Sequence, residues 1–263
     1  MSDRVTVTLE AGVADVRLTR PDKLNACDIE MFEALVSTAD GLAADPSVRA
    51  VVLSGEGRGF CAGIDVSAFG RGGGGRNLFE RSDASPANFV QRSAWAWREL
   101  PVPVVAAVHG VCFGAGLQIA LAADVRFVAP DALLSVMEIK WGLVPDVSGT
   151  RTLIHLVRDD VARELTYTGR RISGTEASAL GLASHVSDTP HEAALELARE
   201  IAGKSPSAIR ADKTLLNAAR QLDDAEGLRL EEGLQRSVMG KPNQLEAVRS
   251  NLEKRPPNFT DPE

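Results

Sequence analysis

The first part of the chain alternates between apolar and polar residues, as half-buried strands do. Val5, Val7 and Leu9 alternate with polar residues, and Gly12 separates them from a second such run over Val13–Leu18. Period-two alternation on both sides of a glycine predicts a β-hairpin.

Helical spacing follows the hairpin. Apolar residues recur at helical intervals from Phe32 to Leu42, and Asp28 precedes them at an N-cap position. The pair Ser85-Pro86 predicts the start of a second helix, which carries Trp95 and Trp97.

Short apolar runs between these segments predict buried strands, and the pattern from Thr150 onward is mostly helical. The predicted strands are Val48–Leu53, Val104–Val108, Val125–Ala129 and Leu133–Val136. Strands joined by helical crossovers and then followed by helices indicate an α/β fold.

The most apolar stretch is Val102–Ala123, which is long enough to span a bilayer. It contains Pro103 and several glycines, which fit a strand, a turn and a helix from about Leu117 better. We therefore expect no membrane partner.

Composition indicates which partners and which cellular compartment to expect. The 263 residues include 29 Lys and Arg against 36 Asp and Glu, a net charge of −7, which argues against a nucleic-acid partner. Cys27, Cys61 and Cys112 are odd in number and widely spaced, which favours a reducing compartment. No apolar signal segment is recognised at the start, so a cytoplasmic location is expected.

Two glycine-rich turns are candidates for a binding site, Phe60–Asp65 and His109–Gly116. Glycine lets backbone N–H groups approach a ligand, and two such groups at a helix N-terminus can form an oxyanion hole. Tight packing between strands and helices explains the same glycines. A further run, Gly70–Arg76, predicts mobile backbone.

Glu138 and Asp146 are candidate proton carriers because they lie eight residues apart in a segment with little other charge. A carboxylate in an apolar pocket has a raised pKa and can move a proton. The alternative is that Glu138 caps a turn and Asp146 caps the helix near Thr150. No spacing of His, Cys or acidic residues indicates a metal site.

Several segments in this order together resemble the crotonase superfamily, the enoyl-CoA hydratase/isomerase family. Arg20–Ala26 resembles its RPxxxNA loop, Phe60–Asp65 its FxAGxD turn, Gly110–Gln118 its GxxxGGGxE turn, Ala123–Arg126 its CD(I/V)R stretch and Glu138–Pro145 its PExxxGxxP loop.

This resemblance implies an α/β crotonase (ClpP-like) fold, a spiral of ββα units with a C-terminal helical trimerisation region. We expect one continuous domain, with the core over residues 1–200 and the helical region and tail over 201–263. The resemblance also implies a homotrimer or a dimer of trimers. Its substrate is an acyl-CoA, so that coenzyme A belongs to the substrate and no separate cofactor is expected.

The resemblance assigns the site residue by residue. The backbone N–H groups of Ile64 and Ala115 form the oxyanion hole for a thioester carbonyl. The implied coenzyme A and substrate contacts are Lys23, Leu24, Ala26, Ala62, Gly63, Asp65, Gly114 and Leu143. Phe89, Trp95 and Trp97 are interpreted either as walls of the acyl pocket or as helix packing.

One departure from the family pattern matters. Typical hydratases of the family carry two catalytic glutamates twenty residues apart, but here Gln118 stands twenty residues before Glu138. Glutamine is neutral and cannot act as a base. The spacing of Glu138 and Asp146 resembles that of dienoyl-CoA isomerases. Our hypothesis is double-bond isomerisation, with Glu138 as proton carrier, Asp146 assisting and Gln118 positioning the substrate. Hydration, or acyl-CoA binding with little catalysis, are the alternatives.

Overall fold

A computed structural model describes residues 3–69, 77–83 and 85–262. The glycine run Gly70–Arg76 lies outside the described residues. No helix in the described ranges is both long and apolar enough to cross a membrane.

The strands that the structure describes form two sheets. The larger has the order β1-β2-β3-β4-β6-β9, in which β1 and β2 are an antiparallel hairpin and the other pairs are parallel. In the smaller, β7 lies between β5 and β8. The strands are β1 Val5–Glu10, β2 Val13–Leu18, β3 Ala50–Gly55, β4 Val104–Val108, β5 Val111–Phe113, β6 Val125–Val128, β7 Leu133–Ser135, β8 Ile172–Ser173 and β9 His185–Val186. The predicted hairpin and four predicted strands are confirmed, whereas the short strands β5, β8 and β9 were missed.

Helices cover the sheets and fill the C-terminal part of the chain. They are α1 Ile29–Ala44, α2 Val66–Phe69, α3 Phe89–Glu99, α4 Ala115–Ala122, α5 Thr150–Leu156, α6 Asp159–Thr168, α7 Gly174–Leu180, α8 Pro190–Ala202, α9 Pro206–Ala218, α10 Asp224–Val238 and α11 Pro242–Glu253. The predicted boundary between the core and the C-terminal helical region, at residue 200, lies two residues before the end of α8.

The predicted N-cap of α1 is confirmed, whereas the predicted N-cap of α3 is wrong. The Asp28 carboxylate accepts a hydrogen bond from the Met31 amide, as predicted. The cap of α3 is Asn88, not Ser85, because the Asn88 and Gln91 side chains bond reciprocally to each other's backbone amides. This capping box satisfies two amides that the end of a helix would otherwise leave free.

Strand alternation divides the core between the two faces of the larger sheet. Val51 and Leu53 point into the main core, whereas Ala50 and Val52 belong to a second cluster covered by α8. Helix α4 is buried around its whole circumference. Such a helix must be apolar on every side, so the one polar side chain within it, Gln118, needs internal partners.

Candidate active site

The two glycine-rich turns run side by side. Cys61 pairs in parallel with Cys112, and the Phe113 amide donates to the Cys61 carbonyl at 3.0 Å. Ile64 follows Cys61 by three residues, and Ala115 follows Cys112 by three. The shared offset brings the two predicted oxyanion donors to the same cavity.

Glycine is required in both turns for close packing. Gly63 has a φ of +93°, and a Cβ there would lie 2.9 Å from the Phe113 carbonyl oxygen. A Cβ on Gly116 would lie 2.5 Å from the Cys61 carbonyl oxygen. The packing interpretation of these glycines is therefore correct, and it is compatible with the binding one. Within the described residues, neither the Ile64 nor the Ala115 amide donates a hydrogen bond.

A cavity of about 440 Å³ opens in front of these amides. Its polar side is formed by Gly114, Glu138, Asp146 and the two donor turns. Its remaining lining is apolar: Phe32, Val66, Leu78, Phe79, Val90, Met137, Trp141 and Leu143. Trp141 and Leu143 are each more than half exposed and lie beside the opening. The cavity thus joins two carboxylates and two amide donors to an apolar compartment.

Glu138 lies at the start of a short 3₁₀ turn, Glu138–Trp141, which Gly142 ends in a left-handed conformation. Its side chain is buried, with the residue only 6% exposed. Oε1 accepts a hydrogen bond from Gln118 Nε2 at 2.6 Å, while Oε2 has no partner among the described residues. Burial raises the pKa of Glu138, and the nearby Asp146 adds to the rise while Gln118 opposes it. Oε2 is therefore the oxygen available to take up a proton.

Gln118 bonds to both the Glu138 carboxyl group and a loop. Its Oε1 accepts hydrogen bonds from the Val147 and Gly149 amides, each at 2.9 Å. Its Nε2 donates to Glu138. Gln118 is not among the residues that line the cavity. Its contacts are those of a residue that positions Glu138 rather than one that touches substrate.

Asp146 is half-buried and lines the same cavity as Glu138. Burial raises its pKa. It does not cap α5, because Gly149 occupies the N-cap position and no side chain bonds there. The geometry therefore removes the capping interpretation and leaves Asp146 as a second acid facing the site.

The loop predicted to hold coenzyme A lies against the first donor turn. The Ala62 amide donates to the Leu24 carbonyl at 2.9 Å, and the Cys27 amide donates to Gly63 at 2.8 Å. Ala26 is buried and Lys23 is exposed. Lys23 is thus the exposed cation of this predicted contact set.

Asn25 is a supporting residue that sequence reasoning did not single out. It is fully buried, with Oδ1 accepting from the Arg20 amide and Nδ2 donating to the Glu56 and Gly59 carbonyls. The signal was present in the sequence, since asparagine is one of the fixed letters of the RPxxxNA pattern.

Asp65 is bound within the protein framework. Its carboxylate pairs with Arg20 at 2.9 Å and accepts a hydrogen bond from the Ser67 hydroxyl at 2.6 Å. These contacts anchor the residue next to the donor Ile64. The structure therefore gives Asp65 a framework role within the turn predicted to contact substrate.

The aromatic residues of α3 do not line the cavity. Trp97 is fully buried and its Nε1 donates to the Ser93 carbonyl, while Trp95 Nε1 donates to Glu99. Phe89 packs edge-to-face on Phe32. None of the three lines the cavity. Phe89 and Trp97 belong to the main core, which favours helix packing for both, whereas Trp95 is partly exposed and contacts Glu99 and Arg98 of its own helix.

Comparison with known proteins fixes the family. The family model described as enoyl-CoA hydratase/isomerase matches residues 8–262. The chain belongs to the enoyl-CoA hydratase/isomerase family. Its resemblance to the crotonase superfamily is thereby confirmed.

Relatives within the family carry different names. The chain is 32% identical to the mitochondrial methylglutaconyl-CoA hydratase of Mus musculus, over 94% of this chain and 79% of that protein. It is 30% identical to the peroxisomal Delta(3,5)-Delta(2,4)-dienoyl-CoA isomerase of Arabidopsis thaliana, over 95% and 93%. The family therefore includes both of the reactions that the site residues suggest.

Solved structures confirm the fold. A putative enoyl-CoA hydratase from Streptomyces coelicolor A3(2) superimposes with a TM-score of 0.90 at 33% identity, covering 99% of this chain and 95% of that one. An enoyl-CoA hydratase from Bacillus anthracis gives 0.88 at 30% identity, covering 97% and 98%. The predicted crotonase fold is correct.

Proposed function

We propose that this family member isomerises the double bond of an enoyl-CoA or dienoyl-CoA, with Glu138 as the proton carrier. The observation that carries the proposal is the bonding of Gln118. Both ends of its amide are occupied by protein groups, and neither end is a base. Glu138 and Asp146 remain as the two ionisable groups among the described lining residues.

The reaction needs a stabilised enolate. For a 3-enoyl thioester, Glu138 Oε2 removes a proton from C2, and the electron pair moves toward the thioester oxygen. The Ile64 and Ala115 amides donate to that oxygen, which lowers the energy of the developing charge. The double bond shifts from C3–C4 to C2–C3, and the same proton is returned at C4. Atoms and charge balance without a co-reactant.

Asp146 supports this scheme as a second acid on the cavity wall. Burial raises its own pKa above that of an ordinary aspartate, in the direction that suits a group exchanging protons with carbon. A pair of such acids suits a dienoyl substrate, in which the proton must travel between more distant carbons. We assign Glu138 to removal of the C2 proton and Asp146 to delivery of its own proton at the far carbon. Loss of a proton from Glu138 to water and uptake of one by Asp146 then restore both groups.

Hydration is the second candidate, favoured by the names of several relatives. It requires a water held near C3 and deprotonated as it attacks. In this site Glu138 would have to serve the water alone, because Gln118 accepts no proton. This is the reason for ranking isomerisation first.

One assay separates these candidates. The purified protein is incubated with a 2-enoyl-CoA, a 3-enoyl-CoA and a 3,5-dienoyl-CoA, and thioester absorbance and product mass are followed. Isomerisation predicts a spectral change without a mass change on the second or third substrate. A mass gain of one water on the first would support hydration instead. Binding of all three without turnover would support an acyl-CoA binder.

The assembly and location are also proposed. We propose a homotrimer or a dimer of trimers, supported by large apolar side chains exposed on the C-terminal helices, among them Leu216, Leu228 and Leu252 at 72%, 66% and 80%. A cytoplasmic location is supported by three free, buried cysteines, since reducing compartments keep thiols in that state.

A further inference from the structure

Cationic side chains gather where three helices end, near the start of strand β4. Arg98 lies in the last turn of α3, His155 in the last turn of α5, and Arg220 two residues beyond α9. Arg151 precedes His155 by four residues, so the two side chains share one face of α5. The four groups thus come from three elements whose ends are joined by hydrogen bonds.

Hydrogen bonds from α9 fix this arrangement. Asn217 Nδ2 donates to the Arg98 carbonyl at 3.0 Å. Arg220 Nη1 donates to the His155 carbonyl at 2.9 Å. The end of α9 therefore ties the ends of α3 and α5 together and keeps their cationic residues in one cluster.

The positive charge of the cluster is not matched by acids. In the part of the chain that the structure describes, Arg98, Arg151 and Arg220 have no carboxylate within 4.0 Å. Asp124, the neighbouring acid, is already bonded to the Lys213 ammonium group and the Val104 amide. This local excess contrasts with the net charge of −7 for the whole chain.

Mutual repulsion among these cationic groups lowers the pKa of two members of the cluster. A small degree of burial lowers the pKa of His155, and Arg220, Arg98 and Arg151 lower it further. Burial likewise lowers the pKa of Arg98, where Asp124 opposes the effect and Arg220 and Arg151 add to it. An anion placed among these groups would relieve the repulsion.

We propose that Arg98, Arg151, His155 and Arg220 form a binding site for a phosphate-type oxyanion. The guanidinium groups of Arg98 and Arg151 donate no hydrogen bond to another described residue. Planar guanidinium groups match the oxygens of phosphate in paired hydrogen bonds. Helix C-termini account for a preference for cations here. Arg98 also lies over the Trp95 ring at 5.5 Å, a contact to the face of the guanidinium that leaves the N–H groups at its edge without a described acceptor.

The site is separate from the catalytic cavity. The cluster lies at the amino end of β4, by Val104, where Asp124 bonds. The residues of the second donor turn follow the carboxyl end of β4 and line the cavity. Occupancy of the oxyanion site therefore does not depend on the proposed reaction, and its test needs no substrate.

The pKa of His155 can be used to detect anion binding at this site. Its imidazole pKa is followed by NMR in inorganic phosphate and in sodium chloride at equal ionic strength, with His155→Gln used for assignment. Phosphate is expected to raise the pKa by about half a unit or more relative to chloride, because a bound anion favours the charged imidazole. A parallel titration with coenzyme A tests whether an esterified phosphate occupies the same site as the free ion.

Two variants decide the interpretation. Arg151→Gln changes an exposed residue and is expected to abolish the phosphate-dependent shift, and Arg98→Gln is expected to reduce it. Arg158→Gln is the matched control, because Arg158 is exposed and already pairs with Asp160. An identical His155 titration in phosphate, coenzyme A and chloride, or an undiminished shift in the Arg151→Gln protein, would overturn the proposal. A shift with coenzyme A alone would support it and identify the esterified source.

Discussion

Gln118 Nε2 donates a 2.6 Å hydrogen bond to Oε1 of Glu138, and this bond makes the two oxygens of the Glu138 carboxyl group different. Oε1 is held by the protein and Oε2 has no partner among the described residues. Because Gln118 is itself fixed by two backbone amides, the orientation of Glu138 is set before substrate binds. Such preorganisation favours transfer of a proton at one defined position.

Replacing Glu138 tests the proton carrier. Glu138→Gln keeps the shape and an acceptor for Gln118 but removes the base, so kcat on the isomerised substrate should fall by about 10²–10⁴-fold. Steady-state kinetics on the 3-enoyl and 3,5-dienoyl thioesters measure this, and circular dichroism checks folding. Wild-type turnover in this variant would refute the assignment of Glu138.

The same variant has a predicted effect on stability. The folded-state pKa of Glu138 is raised, so its contribution to stability is fully present below the unfolded value and is lost as pH rises through the folded value. Glu138→Gln should therefore raise Tm relative to wild type at pH 7, and the difference should shrink near pH 4. Thermal unfolding at both pH values measures it, and a lower Tm at pH 7 would contradict the burial argument.

The dependence of kcat/KM on pH should show the influence of Asp146 on Glu138. Catalysis needs ionised Glu138, so kcat/KM should rise with pH through a pKa above that of an ordinary glutamate. The charge of Asp146 helps to raise the pKa of Glu138, so Asp146→Asn should move the acid limb of the kcat/KM profile to lower pH. Asp131→Asn is the control, since Asp131 is exposed and does not line the cavity. An unmoved limb in the Asp146→Asn protein would show that the two groups do not interact.

Gln118 can be tested in two directions. Gln118→Glu keeps an acceptor for the Val147 and Gly149 amides but places a carboxyl group against Glu138, so the pair must share a proton. We expect a larger fraction of hydrated product from a 2-enoyl-CoA. Gln118→Met removes the acceptor and should cost about 1–3 kcal/mol by leaving buried amides unsatisfied. Product mass and urea unfolding measure the two effects, and unchanged values in both variants would exclude a positioning role.

Gly114 tests the closeness of the donor turn to Glu138. Its φ is +51°, and a Cβ would lie 3.3 Å from Glu138 Oε1. Gly114→Ala should lower kcat/KM by more than about tenfold, in addition to a cost of about 1–3 kcal/mol for placing a side chain in this sparsely populated backbone conformation. Gly240→Ala is the control, with a φ of +72° and open space around the new Cβ. Equal losses of activity in the two variants would show that the contact with Glu138 is unimportant.

The hairpin, the capped helix α1 and the buried strands were predictable because each depends on local periodicity and capping. The short strands β8 and β9 were not, since two residues carry no period. The cap of α3 was misplaced because Ser85-Pro86 and Asn88 both suit an N-cap, and the reciprocal bond with Gln91 decided between them.

The candidate site, like the fold, was predictable from the sequence only in part. Family motifs indicated Ile64, Ala115 and Glu138. The parallel turns bring Ile64 and Ala115 to the cavity that Glu138 also lines. The contacts of Gln118 depend on a loop 29 to 31 residues away in the chain. No local sequence pattern predicts a contact between residues so far apart in the chain. Nor does a local pattern show that Val90, rather than the tryptophans of α3, lines the cavity.

The central claim is that Glu138 moves a proton between carbons and no water is added. The most direct test is turnover of a 3-enoyl-CoA in water enriched in ¹⁸O, with mass spectrometry of the thioester product. The account predicts a 2-enoyl-CoA that contains no ¹⁸O. A 3-hydroxyacyl-CoA carrying ¹⁸O as the main product would contradict it.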